Sequence, residues 1–151
     1  MKIGCIDSKG RDFLYLKEGV RLKAYLDVVG VPTIGVGFIY YPGGKKVKMG
    51  DTINLKQCDE MFAAVVADFE KAVSAAIKVP INQNQFNALV SLAYNIGTPR
   101  FAKSTLVTRI NAGASPELIN AAFAMWNKGG GVVNKVLSQR RADEAKLYLK
   151  S

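Results

Sequence analysis

The sequence predicts an α+β chain: a small N-terminal lobe with a short antiparallel sheet, joined by a long helix to a helical C-terminal lobe. Three observations predict it. Residues 21–27 alternate apolar and polar side chains as a half-buried strand does. Phe62, Val65, Val66, Phe69, Val73 and Ile77 recur at helical spacing without a break. Beyond Pro80, apolar stretches of helical period are separated by single glycines and by the pair Ser115-Pro116. The expected boundaries within a single 151-residue domain are a small lobe over 1–54, a connecting helix over 55–79 and a helical lobe over 80–151.

Each element has a local cause. Ser8 is expected to cap a first helix carrying Phe13, Leu14 and Leu16, which Gly19 closes. Glu18 then occupies its last turn. Leu22, Ala24 and Leu26 form one side of the first strand, and Gly30 and Pro32 turn the chain. A second strand is expected from Thr33 to Tyr41, then a loop at Pro42-Gly43-Gly44 and a short basic third strand near Val47. Asn54 and Gln57 have the spacing of a capping box for the long helix. Helices follow over 84–96, 105–112 and from Ser115-Pro116-Glu117 onward, where Ile119, Ala122, Phe123 and Trp126 share a face. Gly129-Gly130-Gly131 breaks that helix. The last one, over 134–149, places Leu137, Arg141, Ala145 and Tyr148 on one side.

Composition narrows the chemistry. The chain contains no histidine, which excludes Ser-His-Asp and Cys-His hydrolysis and every His-ligated metal site. A hydrolase of this composition working near neutral pH must move protons with carboxylates, and glycoside cleavage is the reaction that habitually does so. Cys5 and Cys58 form no CxxC pair and are too few for a disulfide framework, so two reduced thiols are expected. The net charge of +9 suits any polyanion, whether nucleic acid or an anionic cell envelope. The aromatic residues are placed for burial rather than interleaved with Lys and Arg for base stacking, which disfavours a nucleic-acid module. An early charge at Lys2 and at Asp7 leaves no apolar secretory segment, and the stretch 61–77 is interrupted by Asp68, Glu70 and Lys71. Neither export nor a membrane span is expected.

A glycosidase needs a protonated acid at the leaving oxygen and a second group that holds water or attacks the sugar. Glu18, at the negative end of a helix dipole that disfavours a further negative charge, is the candidate acid. Asp27 ends the first strand beside a turn that water can reach. Thr33 opens the neighbouring strand, and Gly35 and Gly37 leave backbone open on its side. The bland alternatives are an ordinary carboxylate at a helix end, a turn aspartate, a strand threonine and a glycine bulge.

The segment Glu18-Gly19-Val20-Arg21-Leu22-Lys23-Ala24-Tyr25-Leu26-Asp27 through Thr33-Ile34-Gly35-Val36-Gly37 resembles the active-site segment of phage-type lysozymes, glycoside hydrolase family 24. Eight residues separate Glu18 from Asp27 and five separate Asp27 from Thr33, the family's spacing of Glu, Asp or Cys, and Thr. Gln83 to Ser91, Tyr94-Asn95-Ile96-Gly97, Ser104-Thr105-Leu106, Trp126 to Gly130 and Gln139 to Glu144 continue the resemblance in order. It implies a lysozyme fold, cleavage of peptidoglycan between N-acetylmuramic acid and N-acetylglucosamine, Glu18 as proton donor, and Asp27 and Thr33 as holders of the attacking water. Direct displacement without a cofactor is implied; attack by Asp27 itself, with retention, is the contrary possibility. The family usually places histidine where this chain has Phe38, so Phe38 reads as packing. Arg141 is expected to point inward and to pair with Glu18, the alternative being a surface arginine with a buried stem. A lytic transglycosylase, a nucleic-acid-binding module and a non-cutting wall binder are the rival readings. The resemblance further implies a monomer, with peptidoglycan and anionic envelope polymers as partners. It would be stored in the host cytoplasm until a separate holin, not contacted directly, opens the membrane.

Overall fold

A computed structural model describes residues 2–150. They form seven helices, α1 (Ser8–Glu18), α2 (Leu55–Ala76), α3 (Gln83–Ile96), α4 (Thr98–Ala102), α5 (Thr105–Asn111), α6 (Pro116–Ala124) and α7 (Lys135–Tyr148). Two antiparallel pairs accompany them, β1 (Arg21–Leu26) with β2 (Pro32–Gly35), and β3 (Lys128–Gly129) with β4 (Val132–Val133). The chain divides into two compact units, one spanning Asp12–Ala67 and the other uniting the residues up to Arg11 with those from Asp68 onward.

In the Asp12–Ala67 unit the core is built from Leu14, Ala24, Ile34, Val36, Phe38, Val47, Ile53, Met61 and Phe62. Tyr15 sets the edge of its ring against Phe62, centroids 5.1 Å apart, while its hydroxyl donates to Asp59 at 2.6 Å. The expected apolar side of β1 is buried only at Ala24; Leu22 and Leu26 lie largely in solvent. A two-stranded ribbon has too little area to cover both ends of a strand, and period 2 in the sequence does not reveal that. The second strand is also shorter than expected. It ends at Gly35, where the backbone turns so sharply that Ile34 and Phe38 exchange both backbone hydrogen bonds at 2.9 Å. The third strand is absent near Val47. Instead, residues 51–53 pair with β1, through Ala24 N–H to Asp51 O at 2.9 Å and Ile53 N–H to Leu22 O at 2.8 Å. Val47 donates to Ile39 O across the Pro42-Gly43-Gly44 loop.

In the second unit α3 is buried continuously from Phe86 to Ala93, as a central helix must be. It packs on α7, which packs on α6, which packs on α5. Phe69 meets Tyr94 and Phe123 meets Tyr148 at ring distances of 4.9 and 5.7 Å. The N-terminal residues are sewn onto this unit by Ile6 N–H to Glu70 (2.8 Å), Gln83 to Cys5 O (3.0 Å) and Asn87 to Asp7 (2.9 Å).

Capping explains most helix starts, with one correction. α1 begins at Ser8, but the cap is Asp7, whose carboxylate accepts the Gly10 N–H at 3.0 Å. Ser8 is one residue too late. Asn54 and Gln57 form the expected reciprocal box, and Asn82 with Gln85 forms a second, so α3 starts at Gln83 rather than at 84. Ser104, Ser115 and Asn134 cap α5, α6 and α7. α2 ends at Ala76, short of the expected 79, and two elements lie outside what the sequence predicts: the single-turn α4 and the β3–β4 ribbon. Both are too short to leave a period in the sequence. No helix among the described residues is long and apolar enough to cross a membrane, and both cysteines are free thiols.

Candidate active site

Glu18 is the last residue of α1 and is half-buried. Gly19 ends the helix with φ +80°, a conformation that costs glycine nothing, and donates its N–H to Tyr15 O at 2.8 Å. The chain then leaves the helix directly into β1.

Asp27 organises the turn between β1 and β2. Its Oδ1 accepts the N–H groups of Val29 (2.9 Å) and Val31 (2.8 Å), an Asx-type turn that holds the loop from inside. Its own N–H donates to Val31 O at 3.0 Å, and its carbonyl accepts from Gly30. Thr33, paired with Tyr25 across the ribbon and only 3% exposed, donates its hydroxyl proton to Val31 O at 2.8 Å. One residue, Val31, thus ties both side chains: its N–H to the carboxylate, its carbonyl to the hydroxyl. Sequence reasoning places Asp27 beside a turn but misses that Asp27 is the hub of that turn. The run Asp27 to Gly30 is the signal for it.

This bonding divides the chemical capacity of the two groups. Both hydrogen bonds that the loop donates to Asp27 fall on Oδ1, which leaves Oδ2 as the acceptor toward a further group. The proton of Thr33 is spent on Val31 O, so its oxygen can act toward a further partner only as an acceptor. A carboxylate and a hydroxyl acceptor tied through one residue suit a group with two protons to donate.

Gly35 and Gly37 have positive φ, +66° and +79°. A Cβ on Gly35 would stand 2.6 Å from Cδ2 of Phe38 and 3.5 Å from Sγ of Cys58. The room at Gly35 is therefore filled from inside by the buried Phe38 ring, not left open for a sugar as the sequence suggests; Gly37 alone has open space.

Arg141, in the other unit, is 1% exposed. Its Nε forms an ion pair with Oε1 of Glu144 at 2.7 Å, and its Nη atoms reach Asn95 Oδ1 (2.9 Å) and Trp126 O (3.4 Å). Arg140 lies 3.2 Å from the same carboxylate, which also accepts from the Ser91 hydroxyl. Burial pushes the Glu144 carboxyl upward, against the pull of Arg141, Ser91 and Arg140. Sequence reasoning overlooks Glu144, although its spacing of three and four from the two arginines is the helical signature of such a cluster.

A family model described as Phage lysozyme matches residues 16–144. The chain belongs to the phage lysozyme family. Its sequence is 39% identical to the endolysin of Salmonella phage P22 over 140 residues, 93% of this chain and 95% of that protein. The endolysin of Bacillus phage PZA is 38% identical over 143 residues, 95% of this chain; the chain spans about half of that longer relative, 54%. The solved endolysin from Escherichia coli O157:H7 phage FAHEc1 superposes with a TM-score of 0.89 at 42% identity, covering 97% of this chain and 94% of that one. The fold of this phage lysozyme is therefore lysozyme-like and α+β, and membership places it among the hydrolases that degrade peptidoglycan in phage lysis.

Proposed function

We propose that this phage lysozyme is a muramidase that hydrolyses the β-1,4 bond between N-acetylmuramic acid and N-acetylglucosamine. In this reading Glu18 gives its proton to the departing glucosamine O4. A water held by Asp27 and Thr33 attacks C1 of the muramic acid from the opposite face, passes one proton to Asp27 and leaves the sugar inverted. The observation that carries the reading is the Asp27–Val31–Thr33 tie. It leaves one carboxylate oxygen and the hydroxyl oxygen as acceptors, so a water donating to both would direct its own lone pair elsewhere, toward an electrophile. Because Thr33 is buried, its hydroxyl would meet one ordered water rather than bulk solvent. No cofactor enters these steps. Storage in the host cytoplasm until a holin opens the membrane, action as a monomer, and attraction to anionic envelope polymers belong to the same reading.

The test is turbidity loss of a purified peptidoglycan suspension by wild type and by Glu18→Gln, which keeps size and hydrogen bonding but supplies no acidic proton. A general acid contributes roughly 10²–10⁴ in rate, and a drop of that order at unchanged circular dichroism is expected. Lysis at the wild-type rate by the folded variant would remove Glu18 from the mechanism.

A further inference from the structure

The β3–β4 ribbon has no role in the proposed reaction, and its packing is anomalous. Lys128 pairs with Val133 and Gly129 with Val132, and the connecting Gly130 and Gly131 have φ +59° and +82°, the signs a two-residue hairpin loop of type I′ requires. The base is fixed: Asn134 donates its N–H to Asn127 O at 2.8 Å, and its side chain caps α7 by accepting the Leu137 N–H at 3.0 Å. Adjacent strand residues project to opposite faces, and a ribbon on a protein surface normally buries one of them. Here Val132 is 69% and Val133 61% exposed, so neither face is covered. Val136, one residue into α7, is 76% exposed beside them.

The charge around this apolar projection has one sign. No Asp or Glu occurs between residues 118 and 142, while Lys128 and Lys135 are exposed at the ribbon's base. The unit that carries the ribbon also holds most of the molecule's charge: 14 Lys and Arg against 6 Asp and Glu, or +8, leaving 7 against 6 in the Asp12–Ala67 unit. A polyanion in water would pair with lysines but gain nothing from three valines. A bilayer with anionic headgroups takes both, the valines at the level where headgroups meet acyl chains and the lysines against the lipid charge.

We propose that the β3–β4 ribbon, with Val132, Val133, Val136, Lys128 and Lys135, is a docking surface for an anionic lipid bilayer. The test is co-sedimentation of the full chain with vesicles of phosphatidylglycerol and phosphatidylethanolamine, and with vesicles of phosphatidylcholine alone. Wild type should partition onto the anionic vesicles and not onto the neutral ones. V132T/V133T keeps β-branching and shape while removing apolar surface, and should weaken that partition about tenfold. K128Q/K135Q should weaken it by a larger factor, about fivefold for each lysine. Both variants should retain the wild-type melting profile. Failure of wild type to bind anionic vesicles, or equal binding by V132T/V133T, overturns the proposal. So does a V132T/V133T variant that loses binding to isolated peptidoglycan while keeping vesicle binding, or that converts a dimer to a monomer with vesicle binding intact. None of these outcomes bears on glycoside cleavage, which the Glu18→Gln assay reads independently.

Discussion

Single atoms decide the course of the chain where β2, which bears Thr33, ends. Gly35 combines a left-handed backbone with a site where a methyl group would stand 2.6 Å from the buried Phe38 ring. Gly35→Ala must therefore distort both the backbone and the packing, at about 2–4 kcal/mol; calorimetry should show a melting temperature lower by several degrees, and an unchanged value would mean that the ring is free to move. A comparable sensitivity lies at Glu144, fully buried between two buried arginines. Glu144→Gln removes the buried charge that both guanidinium groups face, and a loss of about 3–5 kcal/mol is expected in denaturant titration. At this scale the sequence is only partly readable. The Glu18, Asp27 and Thr33 spacing is visible in it, but the Val31 link is made by backbone atoms, which every residue type carries and no residue identity announces.

The elements are set more by their ends than by their middles. Asn82, Ser104, Ser115 and Asn134 each satisfy a backbone N–H that the first turn of a helix leaves open, and these starts fall within a residue or two of where the sequence puts them. α1 differs because two candidate caps stand side by side, and Asp7 takes the role from Ser8. It does so because it is also bonded to Asn87, a contact 80 residues away that no local pattern encodes. Burial opposes the charge on Asp7, but the Gly10 N–H and the Asn87 amide outweigh it and hold the carboxyl below its usual value. The folded chain therefore binds this proton less readily than the unfolded one. The stabilisation is complete above the unfolded carboxyl pKa of about 3.9 and disappears as the pH falls through the lower folded value. Asp7→Asn keeps the cap, because Asn serves there as well as Asp. Its stability should change less with pH than that of wild type below about pH 4, and identical acid limbs would contradict the assignment. The ribbons were least readable: β2 is cut short by the turn at Gly35, and β3 and β4 are two residues each, below the length at which alternation can be seen.

Across the whole molecule, two properties are unequally distributed. The three residues proposed to carry the reaction, Glu18, Asp27 and Thr33, all belong to the Asp12–Ala67 unit, while most of the net positive charge belongs to the other. The helical character of the larger unit and the mixed character of the smaller were legible because they rest on long periodic stretches such as 62–77. The course of the chain through both units was not, because the contacts that join residues 2–11 to α2 and α3 are made by isolated polar groups. Family membership accounts for peptidoglycan degradation; the chemistry of bond breaking rests on whether a water molecule, rather than the sugar's own oxygen, takes the place of the leaving group. Digestion of peptidoglycan in water enriched in ¹⁸O, followed by mass spectrometry and early NMR spectra of the products, measures this directly. Hydrolysis with inversion should give reducing-end muramic acid carrying one ¹⁸O and appearing first as the α anomer. A 1,6-anhydro product without the label would contradict it.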